Sequence, residues 1–98
     1  MDIKIHSEVK IDKVFEDYIK EKIEKLQKFI FDNGYVEFHI RKDGSLFLTE
    51  FYLHSKNLKV FLTEKNNDLN RSVEILLDRA KEKVRKLHDK IVNKKGEK

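Results

Sequence analysis

The sequence predicts an α+β fold, a two-layer sandwich in the order β-α-β-β-β-α, with a four-stranded sheet and two helices packed on one face. Three observations carry this. Short segments alternate apolar and polar residues as strands do, and two long segments repeat apolar residues at helical spacing. Turn signals such as Asp32-Asn33-Gly34 and Asp43-Gly44 separate them, with no proline anywhere in the 98 residues. Strands that alternate bury one face only, and two amphipathic helices are the natural cover for it.

The first element is a strand over Asp2 to His6, where Ile3 and Ile5 share a face. Asp12 is suited to cap a long helix whose apolar positions are Val14, Phe15, Tyr18, Ile19, Ile23, Leu26, Phe29 and Ile30, ending at Asp32-Asn33-Gly34. Val36 to Ile40 alternates, and Asp43-Gly44 turns the chain into a second run, Leu46 to Ser55, giving a β-hairpin. A further strand spans Leu58 to Glu64, with Leu58, Val60 and Leu62 on one side. Asn66-Asn67-Asp68 then offers a cap to a final helix carrying Leu69, Val73, Leu76, Leu77, Ala80, Val84, Leu87 and Ile91 on its apolar side. A right-handed crossover is expected to join the first strand and helix to a later strand.

Length and composition point to one domain over residues 1–92, followed by a basic flexible tail over residues 93–98. The hydrophobic share of 39%, arranged periodically, is enough for a packed core despite a charged share of 41%. With no cysteine, a disulfide or a thiolate-held metal has no ligands, which suits a reducing cytoplasm. No apolar run is long enough for a membrane span, and the first ten residues do not form a signal-peptide core, so a cytoplasmic protein is expected.

Charge is distributed unevenly. Residues 79–98 hold nine Lys or Arg against three acids, while the preceding 78 residues carry 13 basic and 15 acidic side chains. Clustered cations of this kind suit a polyanion, because they displace counterions condensed on phosphates. At about 100° per residue, Arg79, Lys83, Lys86 and Lys90 fall on one stripe beside the apolar seam. A solvated flank explains such a stripe too, but it is short of the acids that a helix built for solubility alone usually places four residues before its lysines. In the first helix Lys22 falls inside the apolar arc near Tyr18 and Phe29, and Lys25 at its edge, so each ammonium either snorkels to solvent or meets an anion. Lys28 alone is unremarkable. Side by side on the sheet, the two helices are expected to join Lys22 and Lys25 to the second-helix stripe in one basic surface.

The uncovered sheet face is expected to carry Lys4, His6, Glu37, His39, Tyr52, His54, Lys59 and Phe61. Aromatic and basic residues there suit base stacking, but cross-strand packing accounts for Tyr52 and Phe61 more simply. The three histidines raise the question of zinc, yet their spacing matches no ligand motif, and no metal or other cofactor is expected. Glycine-rich phosphate loops, cysteine nucleophiles and nucleophile elbows are missing from the sequence, so no catalytic residue is expected and binding is the better reading.

Two strings within this element order resemble those of the short ribosome hibernation promoting factors, the family close to ribosome-associated inhibitor A. They are YIKEKIEKLQKF at residues 18–29 and LLDRAKEKVRKLHDKI at residues 76–91. The resemblance implies a non-enzymatic translation inhibitor that docks on the small ribosomal subunit and its ribosomal RNA and occludes the messenger and transfer RNA channel. It implies RNA contacts from Lys22, Lys25, Arg79, Arg85, Lys86 and Lys90, to which the residue pattern adds Lys28 and Lys83. Residues 1–92 are then one ribosome-binding domain, monomeric when free, with no membrane or small-molecule partner. The sequence departs from the family at Asp68 to Glu74, where only the cap, apolar positions and closing acid remain, and at Glu82, where a basic residue is common. A general double-stranded RNA-binding domain, which shares α-β-β-β-α but not the first strand, and a protein-interaction adaptor are the alternatives.

Overall fold

A computed structural model describes the backbone of residues 1–96 and side chains through Asn93. Its elements are β1 (Asp2–Ser7), α1 (Lys13–Glu24), a 3-10 segment (Lys25–Phe29), β2 (Tyr35–Asp43), β3 (Leu46–His54), β4 (Lys59–Asn66) and α2 (Leu69–Gly96). The strands lie in the order β1-β2-β3-β4; β1 runs parallel to β2, and the other two pairings are antiparallel. This is the expected α+β sandwich. The parallel pair needs a crossover, supplied by α1 and the 3-10 segment, whereas the antiparallel strands follow one another through short loops.

Register sorts the side chains into rows. Ile3, Val36, Leu53 and Val60 pair across all four strands, as do Ile5, Phe38, Phe51 and Leu62, and both rows face the helices. On the opposite face Lys4, Glu37, Tyr52 and Phe61 form one row, and His6, His39, Glu50 and Thr63 another. That face is open: Phe61 is 63% exposed. The β2–β3 hairpin closes through Gly44 and Ser45, and Gly44 has φ 63°, meeting the need for a positive φ at the first loop position.

Asp12 caps α1, its carboxylate accepting the backbone N–H of Phe15 at 2.8 Å. The helix buries Ile19 and Ile23, but it ends at Glu24 instead of running to Asp32. Beyond it Leu26 and Phe29 follow Ile23 at intervals of three, the spacing that lines up on a 3-10 helix, and the chain tightens accordingly. Val14, expected on the apolar seam, is 77% exposed, because it lies in the first turn at the outer edge of the arc. Leu58 is buried as expected but precedes β4, which continues to Asn66 and absorbs part of the polar stretch read as a cap.

Asp68 caps α2, accepting the N–H of Asn70 at 2.9 Å. The helix packs over β3 and β4 through Val73, Leu76, Leu77, Ala80 and Val84, with Leu87 and Ile91 partly buried. Full burial of a side chain such as Leu76 stabilises by about 2–5 kcal/mol relative to alanine. One polar contact lies inside this layer: the Ser72 hydroxyl sits 2.9 Å from that of Thr49 and 3.2 Å from the Glu64 carbonyl oxygen, with both side chains wholly buried. The boundary expected at residue 93 falls within α2, which runs on to Gly96; the tail expected for Glu97 and Lys98 lies outside the described residues.

Candidate nucleic-acid interface

The change of helix type at Lys25 organises the first basic group. Residues three apart eclipse one another on a 3-10 helix, so Lys25 and Lys28 project on one side, and Lys22 in the last turn of α1 leads into the same row. All three are exposed. The Lys22 ammonium lies 5.6 Å from the centre of the Tyr18 ring and that of Lys28 lies 5.2 Å from the Phe29 ring, so the stems cover apolar surface while the charges reach water.

This row faces α2 across a narrow groove. Its other wall is Glu74, Asp78 and Lys81, and Leu26, Phe29 and Leu77 line it between the walls. One end is tied by Tyr18, whose hydroxyl donates to Glu74 at 2.6 Å. That bond, followed by desolvation and the neighbouring carboxylates, pushes the Tyr18 pKa up to about 12. Beyond the groove, Phe29 meets His88 edge-on at 5.5 Å and Phe31 stacks on the same ring at 5.6 Å. Four lysines thus converge on the groove against two carboxylates, one of them engaged by Tyr18. Among the described residues no ion pair reaches Lys22, Lys25, Lys28 or Lys81.

The second basic group is placed differently from expectation. Arg79, Lys83 and Lys86 line a separate surface with Leu62, Asp78 and Glu82, on the β4 side of α2. Two residues along a helix is about 200° of rotation, so Lys81 turns to the groove while Lys83 and Arg79 turn away from it. Lys90 is exposed and continues the stripe by its helical spacing. The expected union of Lys22 and Lys25 with the Arg79 stripe therefore does not form. Instead the two groups flank a crest of Asp78, Glu82, Arg85 and Asp89.

Several of these cations are already engaged. The Arg79 guanidinium donates to the Thr63 carbonyl oxygen at 2.6 Å and to Glu64 at 2.9 Å, fastening α2 to β4. Arg85 bridges Glu82 at 2.9 Å and Asp89 at 3.4 Å, and Lys86 lies 3.5 Å from Glu82. The Arg85 hydrogen bond and charge hold the Glu82 carboxyl below its usual range. Glu82 is thus more than a missing basic residue, since it occupies two of its neighbours. Sequence reasoning passed over Lys81, although Glu74, Leu77, Asp78 and Lys81, spaced by three, one and three, mark a single helix stripe beside α1.

Among the described residues, no helix is long and apolar enough to cross a membrane. The fold is shared with the N-terminal domain of Protein Y from Thermus thermophilus, at a TM-score of 0.76 and 19% identity, covering 88% of this chain and 98% of that one. A ribosomal subunit interface protein from Coxiella burnetii superposes with a TM-score of 0.70 and 12% identity, covering 88% of this chain and 96% of that one. No curated protein matches the sequence. Residues 3–92 match the family described as sigma 54 modulation protein / S30EA ribosomal protein, and the chain belongs to that family.

Proposed function

We propose that this chain is a non-enzymatic, cytoplasmic ribosome-binding factor of the hibernation type, which docks on the small subunit as a monomer and inhibits translation by occluding the messenger and transfer RNA channel. The observation that carries the reading is the groove in which Lys22, Lys25, Lys28 and Lys81 converge without an ion pair among the described residues. Like charges held together gain most from a partner rich in phosphate, and family membership supports ribosomal RNA as that partner. Recognition then rests on backbone charge and RNA shape, because a helical RNA hides its deep major groove from side chains. Lys83, Lys86 and Lys90 form a second line of contact on the β4 side, while Arg79 and Arg85 act first within the protein.

Competition on purified small subunits tests occlusion. Initiator transfer RNA prebound with messenger is expected to lower the apparent affinity of the protein, and the protein to lower theirs by the same factor, since two ligands excluded from one site affect each other reciprocally. Undiminished simultaneous binding would rule the channel out. Comparable affinity for a plain RNA duplex would point to a general double-stranded RNA binder instead.

A further inference from the structure

The open face of the sheet, on the far side from the lysine groove, brings together three side chains to which the preceding reading gives no role. His6 on β1 pairs in register with His39 on β2, and Glu37 lies two residues before His39 on the same face. Neighbouring strands and alternate residues are the two shortest same-face spacings in a sheet, so three side chains at these positions converge on one point above it. The imidazole rings of His6 and His39 stack with centroids 4.7 Å apart and planes 17° from parallel. A carboxylate oxygen of Glu37 lies 2.9 Å from His39 Nε2. One donor atom from each of the three residues falls within 4.8 Å of the others.

We propose that His6, Glu37 and His39 form a binding site for a divalent transition-metal ion, with zinc as the expected occupant. Two imidazoles and a carboxylate are a donor set suited to zinc, leaving one tetrahedral position for water or a group from a partner. Magnesium and calcium favour oxygen-only shells and are disfavoured here. Ligands about 2.0–2.1 Å from a tetrahedral zinc lie roughly 3.3 Å from one another, so closing the site takes a movement of about 1.5 Å. His6 is exposed and is the side chain placed to make it, its ring tilting so that its donor nitrogen closes on those of His39 and Glu37. Tyr35 supplies the outer support, its hydroxyl donating to the second oxygen of Glu37 and leaving the first turned towards His39. Lys4, opposite Glu37 in the register, opposes a cation, but its exposed ammonium has a flexible stem on which to swing aside. Arg41 is drawn off by Glu50 at 2.9 Å and Glu8 at 3.5 Å.

Calorimetric titration of the full chain with zinc chloride is expected to show one equivalent bound. His39→Ala and His6→Ala should each weaken binding by at least about tenfold. His54→Ala, on the same face but in another row, and His88→Ala, beside Asp89 on α2, should leave it unchanged, as should an excess of magnesium. All three proposed ligands project from the open face, so the variants are expected to keep the wild-type melting temperature. A measurement on the unaltered chain stands beside these. Added cobalt(II) should broaden the ring-proton resonances of His6 and His39 before those of His54 and His88. Failure of the wild-type chain to bind zinc at millimolar concentration, or zinc binding that survives in the His6→Ala, His39→Ala double variant, would overturn the site. Neither result bears on RNA binding, which uses the other face.

Discussion

The two flanks of α2 carry similar numbers of basic residues but engage them to different degrees, since on the β4 side only Lys83 and Lys90 lack an ion pair among the described residues. On the α1 side, Lys22, Lys25, Lys28 and Lys81 meet around a groove with no ion pair among the described residues. On the β4 side and along the crest, Arg79, Arg85 and Lys86 are bound to Glu64, Glu82 and Asp89. Formal charge alone does not distinguish them. A cation already in a good intramolecular hydrogen bond must break it to meet a phosphate, so its net gain on binding is smaller than that of a lysine facing water. The arginines are here the more committed side chains.

Four measurements test that contrast. The largest expected effect comes from converting Lys22, Lys25 and Lys81 together to alanine, which should flatten the log-log salt dependence of small-subunit binding by up to about three units. The same measurement on an Arg85, Lys86 double alanine variant should show a smaller change per charge removed, and an equal one would erase the distinction. Arg79→Ala should act on stability instead. Losing bonds to Thr63 and Glu64 at a half-exposed site should lower the unfolding free energy by about 1 kcal/mol in urea melts, with the salt slope shifted by less than about one unit.

Third, Glu82→Gln releases Lys86 and leaves Arg85 with Asp89 alone, and should tighten subunit binding, steepening the slope by up to about one unit. Weaker binding would mean that Glu82 positions the two cations rather than occupying them. The smallest effect is spectroscopic. Tyr18, with its pKa raised to about 12 from 10.0, should ionise late in an ultraviolet titration and earlier in Glu74→Gln, where desolvation and Asp78 still act. Because the folded chain holds this proton more tightly than the unfolded one, the Tyr18 contribution to stability is complete below pH 10 and is lost as pH rises through about 12.

Most of the fold could be read from the sequence because its signals were local. Alternation in Val36 to Ile40, glycine in the Asp43-Gly44 turn, and aspartates 12 and 68 ahead of apolar periodicity each act over a few residues. The early end of α1 was harder to see, although Ile23, Leu26 and Phe29 carry it, because a spacing of three suits both an α-helix and a 3-10 turn over so short a stretch. The groove was only half visible. Helical spacing finds the residues that share a stripe, but which flank of α2 faces α1 depends on how both helices sit on the sheet, and that is a tertiary fact. The pairings that occupy Arg79 are of the same kind, since Glu64 lies 15 residues away on another element.

The buried hydroxyls of Ser72 and Thr49 have a consequence at a distance. An apolar seam of Val73, Leu76, Leu77, Ala80 and Val84 can slide by a turn against a sheet and still meet hydrocarbon, so oiliness alone indexes a long helix poorly. A hydroxyl pair has one acceptable setting. Moving α2 along by one turn brings Asp68 or Leu76 to Thr49 and strands a buried hydroxyl, at a cost of about 1–3 kcal/mol. Lys81 stands nine residues further on, about 14 Å along the axis, and one turn of slippage would carry it about 5.4 Å along the groove. Two uncharged atoms near the start of the helix thus act as its detent, setting whether the lysines of α1 find their counterpart across the groove.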